Sequence, residues 1–226
     1  LAGGNISSCQ VSLPGGKQEV MMNIFAAAID YFQRGGVCMW PLLLCSVVVC
    51  VVGIERYLYY RKTFSPVSFA PSFVKLLNEG NVEEAYNLAS RTRGSAAEMA
   101  VEIMDSRDKL EKKLSSTAYA MVDHTTADWK KYLTGLNLAI SLSPMLGLLG
   151  TITGMMASFN ALNERLANPM AITAGIGEAL ITTVFGLCIA IFGMCVHAYL
   201  MGQVKVASRS MEEVAGAMAD EFSPEE

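Results

Sequence analysis

Between Arg165 and Lys205 the sequence holds a single formally charged side chain, Glu178, in the stretch Thr173-Ala-Gly-Ile-Gly-Glu-Ala-Leu-Ile-Thr-Thr-Val-Phe-Gly-Leu-Cys-Ile-Ala. An otherwise uncharged run of about 40 residues exceeds what a buried helix of a soluble domain needs and is long enough to cross a bilayer. It predicts a membrane helix. A carboxylate inside such a helix costs about 2.5–3.5 kcal/mol on insertion scales, so Glu178 is expected to face a helix bundle or a wet cavity rather than lipid. It marks a candidate ion pathway.

Two further uncharged runs frame the rest of the chain. Arg34 and Glu55 bracket the first and Lys131 and Glu164 the second; at about 20 and about 30 residues, both reach across a bilayer, the second with length left over. The expected fold is all-α and membrane-integral, with three spans and long helical extensions on the inner side. Residues 1–34 form an outer segment with an amphipathic surface helix over 17–32, and 35–55 the first span. Residues 56–131 form a soluble helical section, 132–162 the second span, 163–171 a turn, 172–204 the third span and 205–226 a tail. Trp40, Tyr57, Tyr59 and Tyr60 flank the first span, as amphipathic rings do at headgroup depth. Asn81 with Glu84 three residues on resembles a helix-start box. Lys and Arg concentrate in 56–131 and beyond 204, which places those segments inside and the amino terminus outside. The sequence opens at Leu1, so further residues or a processed leader are expected ahead of it.

The chain is 52% hydrophobic and 17% charged, with the apolar residues in blocks, which excludes a soluble enzyme-like domain for most of its length. No basic cluster suggests nucleic acid. Cys38, Cys45, Cys50, Cys188 and Cys195 lie inside apolar runs and are read as small packing residues. No CxxC pair or second histidine beside Cys195 and His197 points to a metal, and the soluble section carries no phosphate loop or nucleophile and base at motif spacing. No cofactor is expected.

Small and hydroxyl side chains fall in two stripes. On the second span they are Pro144, Gly147, Thr151, Gly154 and Ser158; on the third, Gly175, Ala179, Thr182, Gly186, Ala190 and Gly193 fall in line with Glu178 and His197, with Thr183 at the border. Spacings of three and four put each set on one helix face. Such faces avoid lipid, either because they line a pore or because small residues let helices approach closely. Counted from the outer turn, Thr151 and Thr183 reach similar depths and Glu178 sits further out, a series that could hold water and relay protons. Hydroxyls that only bond their own helix's carbonyls are the alternative. Stripes and acid together leave more non-lipid surface than one subunit can cover, so self-assembly is expected.

The motifs Ser143-Pro-Met-Leu-Gly-Leu-Leu-Gly-Thr-Ile-Thr-Gly-Met and Gly175-Ile-Gly-Glu-Ala-Leu-Ile-Thr-Thr-Val-Phe-Gly-Leu resemble those of the ExbB, TolQ and MotA proton-channel family, the ExbB/TolQ branch in particular. Weaker similarity lies in Ile54-Glu-Arg-Tyr-Leu-Tyr-Tyr-Arg-Lys and Ser90-Arg-Thr-Arg-Gly-Ser. The resemblance implies a ring-shaped homopentamer in the bacterial inner membrane. The ring would surround a dimer of an ExbD/TolR-like single-span protein with an intramembrane aspartate, and a TonB-like protein is a further partner. It also implies a proton pathway through Glu178, Thr151 and Thr183, with Pro144 shaping the second span. Pro144, Gly147, Gly154, Ser158, Gly175, Thr182 and Gly186 would form the pore-facing stripe. Where such proteins often read Ala-Ile-Pro-Ala, this chain reads Ala190-Ile-Phe-Gly193. The implied function is a motor subunit that energises outer-membrane transport. A TolQ-like envelope or gliding-motility motor is one alternative, and a non-conducting scaffold or substrate transporter another.

Overall fold

A computed structural model describes residues 38–106, 114–163 and 169–222. The expected surface helix over 17–32 and the centre of the 163–171 turn lie outside them. Among the described residues six helices follow in order: α1 Met39–Thr63, α2 Phe69–Asn78, α3 Val82–Arg91, α4 Ser95–Asp105, α5 Leu114–Asn163 and α6 Pro169–Phe222. Among the described residues there is no strand. Three helices, α1, α5 and α6, are long and apolar enough to cross a membrane.

The frame is an antiparallel hairpin of α5 and α6. Buried positions on α5 run Leu114, Ala118, Val122, Thr126, Trp129, Leu133, Leu136, Ile140 and Ser143. On α6 they run Ala179, Thr182, Gly186, Ala190 and Gly193 and, past half-buried Val196, Leu200, Val204, Ala207, Met211, Val214 and Met218. Steps of three and four make each set one continuous seam. Ser158 meets Gly175, Ser143 meets Gly186 and Ile140 meets Gly193, while the Thr126 and Ser208 hydroxyls lie 3.0 Å apart, so the register holds from end to end. With 50 and 54 residues, the two helices are about 75 and 80 Å long at 1.5 Å per residue. A hydrocarbon core of about 30 Å therefore takes up less than half of the hairpin.

Helix α1 lies along the hairpin through Met39, Leu42, Cys45, Val49, Gly53, Arg56 and Tyr60. It runs on to Thr63, past the span's expected end at 55, and this changes the role of its aromatic residues. Tyr57 and Tyr59 are exposed as interface residues should be, but Tyr60 is buried. Its hydroxyl donates to the Trp129 carbonyl at 3.0 Å, and its ring stacks on Phe64 at 4.8 Å. Arg56 is also buried, its guanidinium 3.7 Å from the Tyr132 ring centroid and bonded to Glu55 at 2.9 Å. Ring face and carboxylate together compensate a cation removed from water.

Helices α2 to α4 join the hairpin's apolar core through Phe69, Phe73, Leu77, Ala89, Ala97 and Ile103, with α2 and α4 packed against α6. Asn81 stands at the start of α3, as expected, but its side chain makes no capping bond; the turn is closed instead by the Gly80 N–H on the Leu77 carbonyl and the Asn81 N–H on the Leu76 carbonyl. Gly94 opens α4 at φ 124°, where a Cβ would stand 2.5 Å from the Ser65 nitrogen. The Ser65 hydroxyl accepts from the Ala96 N–H at 3.1 Å, so a serine beyond the end of α1 caps α4. Helix α4 ends at Asp105, and α5 begins at Leu114. The cysteines also depart from expectation. Only Cys45 is buried; Cys50, Cys188 and Cys195 lie on outer helix faces, and all five are free thiols.

The hairpin's tightest contact gives a test. A Cβ on Gly186 would stand 2.6 Å from the Ser143 carbonyl oxygen and 3.2 Å from the Gly147 Cα, whereas one on Gly202 meets nothing within 4 Å. Gly186→Leu should destabilise the fold by at least about 1–3 kcal/mol. Gly202→Ala should be neutral or stabilising by up to about 1 kcal/mol. Equilibrium unfolding in mixed detergent micelles distinguishes the two.

Candidate functional site

The half of the hairpin nearer its turn carries most of the residues singled out above. Facing backbones approach so closely there that side chains are nearly excluded. A Cβ on Gly147 would lie 3.1 Å from the Thr182 carbonyl and the Thr183 Cα. One on Gly150 would meet the Thr182 hydroxyl at 2.5 Å, and one on Gly154 the Ala179 Cβ at 2.9 Å. Gly175 takes the Ser158 hydroxyl against its own missing side chain. Gly193 fills a three-helix junction, with Ile140 at 2.6 Å and Val49 at 3.3 Å from a notional Cβ. The position of the expected proline motif is thus a packing point on an unbroken helix.

Most residues of the expected pore-facing stripe lie against their own hairpin. Gly147, Ser158, Thr182 and Gly186 are buried in the seam between α5 and α6 and face each other, and Gly154 and Gly175 share that contact. The physical reason is the absence of a hydrophobic drive between helices in lipid, which leaves close packing of small residues to hold them together. Ser158 and Thr182 also turn their hydroxyls back onto the Gly154 and Ala179 carbonyls, at 2.9 and 2.7 Å.

Thr151 and Thr183 stand apart from the buried set, half-buried at the seam's edge. Their bonds differ. The Thr151 hydroxyl donates within its own helix, to the Leu148 carbonyl at 2.6 Å. The Thr183 hydroxyl crosses the seam to the Gly147 carbonyl at 3.0 Å. One α5 turn thus carries both Thr151 and the acceptor of Thr183. Pro144 lies inside α5, one turn before Gly147, and has no N–H to offer the Ile140 carbonyl. Glu178 belongs to α6, next to Ala179 of the seam, and its side chain is outside the described residues.

Helix α1 covers one side of the hairpin. It touches α5 at Trp129 and Tyr132, and at its amino-terminal end the Cys38 sulfur lies 3.7 Å from the Thr153 hydroxyl. At 100° per residue, Thr134, Asn137, Ser141, Pro144 and Thr151 fall on the opposite side of α5 from Tyr132 and Thr153. Thr134, Asn137 and Ser141 are exposed there. The Thr134 and Ser141 hydroxyls bond the Lys130 and Asn137 carbonyls of their own helix, at 3.2 and 2.9 Å. Sequence reasoning missed this row, although its steps of seven, three, four, three and four back from Thr151 to Lys130 follow the helical period.

Residues 88–213 match the MotA/TolQ/ExbB proton channel family. The chain belongs to that family. Among its relatives, an ExbB-like protein of Synechocystis sp. is 30% identical over 192 residues, covering 83% of this chain and 74% of the relative. An ExbB homolog of Methanothermobacter thermautotrophicus is 28% identical over 192 residues, covering 81% of this chain and 66% of the relative. The biopolymer transport protein ExbB of Aquifex aeolicus is 27% identical over 197 residues, covering 87% and 95%. The matched family region contains all of the seam's membrane portion, together with Glu178, Thr151 and Thr183.

The two threonines give a discriminating pair. Thr183→Val should weaken the α5–α6 contact by about 0.6–1.7 kcal/mol, because it removes a bond between membrane helices. Thr151→Val removes only a bond within one helix and should cost less. Stepwise unfolding in mixed micelles measures both, and equal losses would contradict the bonding described.

Proposed function

We propose that this chain is the channel subunit of an ExbB-like motor in the bacterial inner membrane, using protons that flow inward to drive movement of a partner helix and so energise outer-membrane transport. The observation that carries the reading is a carboxylic residue, Glu178, in the otherwise uncharged membrane part of α6, five residues from Thr183. Family membership supports the ion, and ExbB-type names among the relatives support the branch. The amino terminus would lie in the periplasm and the carboxyl terminus in the cytoplasm.

Several copies, five by resemblance, would enclose a dimer of an ExbD/TolR-like single-span protein whose helix offers an aspartate, with a TonB-like protein beyond it. The wall facing that dimer would be the side of the hairpin away from α1. A proton entering from outside would bind the Glu178 carboxylate and leave it through water held at Thr151 and Thr183. From there Ser141, Asn137 and Thr134 would line the way to Lys130 at the inner boundary. Each proton releases about 2.3 kcal/mol per 100 mV of membrane potential. The partner's aspartate would alternate with Glu178 as the proton's host, and the change in charge between the two would shift the partner helix.

Glu178→Gln keeps size and hydrogen bonding but cannot take up and release a proton. Reconstituted with its single-span partner in liposomes, the variant should assemble normally and pass no protons above the empty-liposome level, as read with a pH-sensitive dye. Wild-type flux from Glu178→Gln would overturn the reading.

A further inference from the structure

Helices α1 and α6 leave an open trough along their outer edge. It has a volume of about 410 Å³ and is walled by Val49, Cys50 and Ile54 of α1 and Phe192, Cys195 and Val196 of α6. Its floor is Gly53, where a Cβ would stand 3.0 Å from Val196 Cγ1, so any larger residue would crowd it. At its end the rings of Tyr57 and Tyr199 lie 6.1 Å apart, and the same two residues border a second pocket of about 120 Å³ that adds Arg61 and Gln203. One channel thus changes from apolar to polar along its length.

Depth and charge narrow what fits. From Val49 to Arg61 the helix rises about 18 Å. That is close to one leaflet of a hydrocarbon core about 30 Å thick, plus its polar boundary. Arg61 and Lys62 are exposed in the last turn of α1 and pair with no carboxylate among the described residues. The Arg61 guanidinium sits 5.8 Å from the Tyr57 ring centroid, over the mouth of the trough. A second copy packed on this trough through the same edge would bring its own Arg61 and Lys62 alongside, where like charges repel. An anionic headgroup has the complementary sign.

We propose that the trough holds one anionic phospholipid, an acyl chain lying between α1 and α6 and its phosphate against Arg61 and the phenols of Tyr57 and Tyr199. The site needs α1 to span the bilayer but not the proton path, so Glu178→Gln should leave it intact. Native mass spectrometry of the full chain in mild detergent, with phosphatidylglycerol or phosphatidylcholine of equal chain length added, tests it. Phosphatidylglycerol should be retained about five-fold better, and Arg61→Gln should remove that preference. Ile54→Trp, which fills the trough, should lower retention of both lipids. Equal retention by the wild type, or an unchanged preference in Arg61→Gln, overturns the proposal. So does a folded Ile54→Trp that alters oligomer size and leaves lipid retention alone, because the trough would then be a contact between copies. If Ile54→Trp fails to fold, the Arg61→Gln comparison decides.

Discussion

Two helices in a bilayer have no oily surface to hide from water, so they stay together only if their atoms touch over a long distance. The α5–α6 seam meets this condition with glycine, serine, alanine and threonine inside the membrane portion and with leucine, valine and methionine beyond it. The change of residue size along one unbroken register tracks the change of solvent. Where water is expected around the hairpin, burying Val122, Met211, Val214 and Met218 contributes in the ordinary way, roughly 1.5–3 kcal/mol for each fully buried side chain. Where lipid is expected, shape takes over, and Gly186 against Ser143 replaces a hydrophobic pair.

That change explains what could be read from the sequence. The spans were legible, because a charge-free run of that length has few other uses, and the helical extension of the second span followed from its excess length. The small-residue faces were legible as faces. Their partner was not, because glycines at intervals of three and four look the same whether they meet another helix or a water-filled lumen. Thr182 and Thr183 show the limit at single-residue scale: adjacent hydroxyls differ by 100° on the wheel, and only the neighbouring helix decides which is buried. The sequence placed Thr182 on the working face and Thr183 at its border, whereas in the structure Thr182 is enclosed and Thr183 reaches across.

Tyr60 misled for a related reason. An aromatic residue just past an apolar run usually marks the headgroup layer, but α1 continues beyond it and keeps Tyr60 on the packed side. Its bond to the Trp129 carbonyl and the Arg56–Tyr132 stack fasten α1 to α5 near one level. Ser65 then fastens the segment after α1 to α4. Helices α2 to α4 share the hairpin's apolar core, and the joint between α1 and α4 adds a serine and a glycine with no helical periodicity to announce them. The similarity in Ser90-Arg-Thr-Arg-Gly-Ser rests in part on Gly94, whose backbone angle and contact with Ser65 leave no room for a side chain.

The two half-buried threonines share one further property. Each has a single hydroxyl hydrogen, and each commits it to a carbonyl, Thr151 to Leu148 and Thr183 to Gly147. A hydroxyl so committed can only accept. Any water beside them must turn a hydrogen toward each oxygen, so the pair presents lone pairs and no donor. Lone pairs without a donor suit a hydrated cation better than an anion such as chloride.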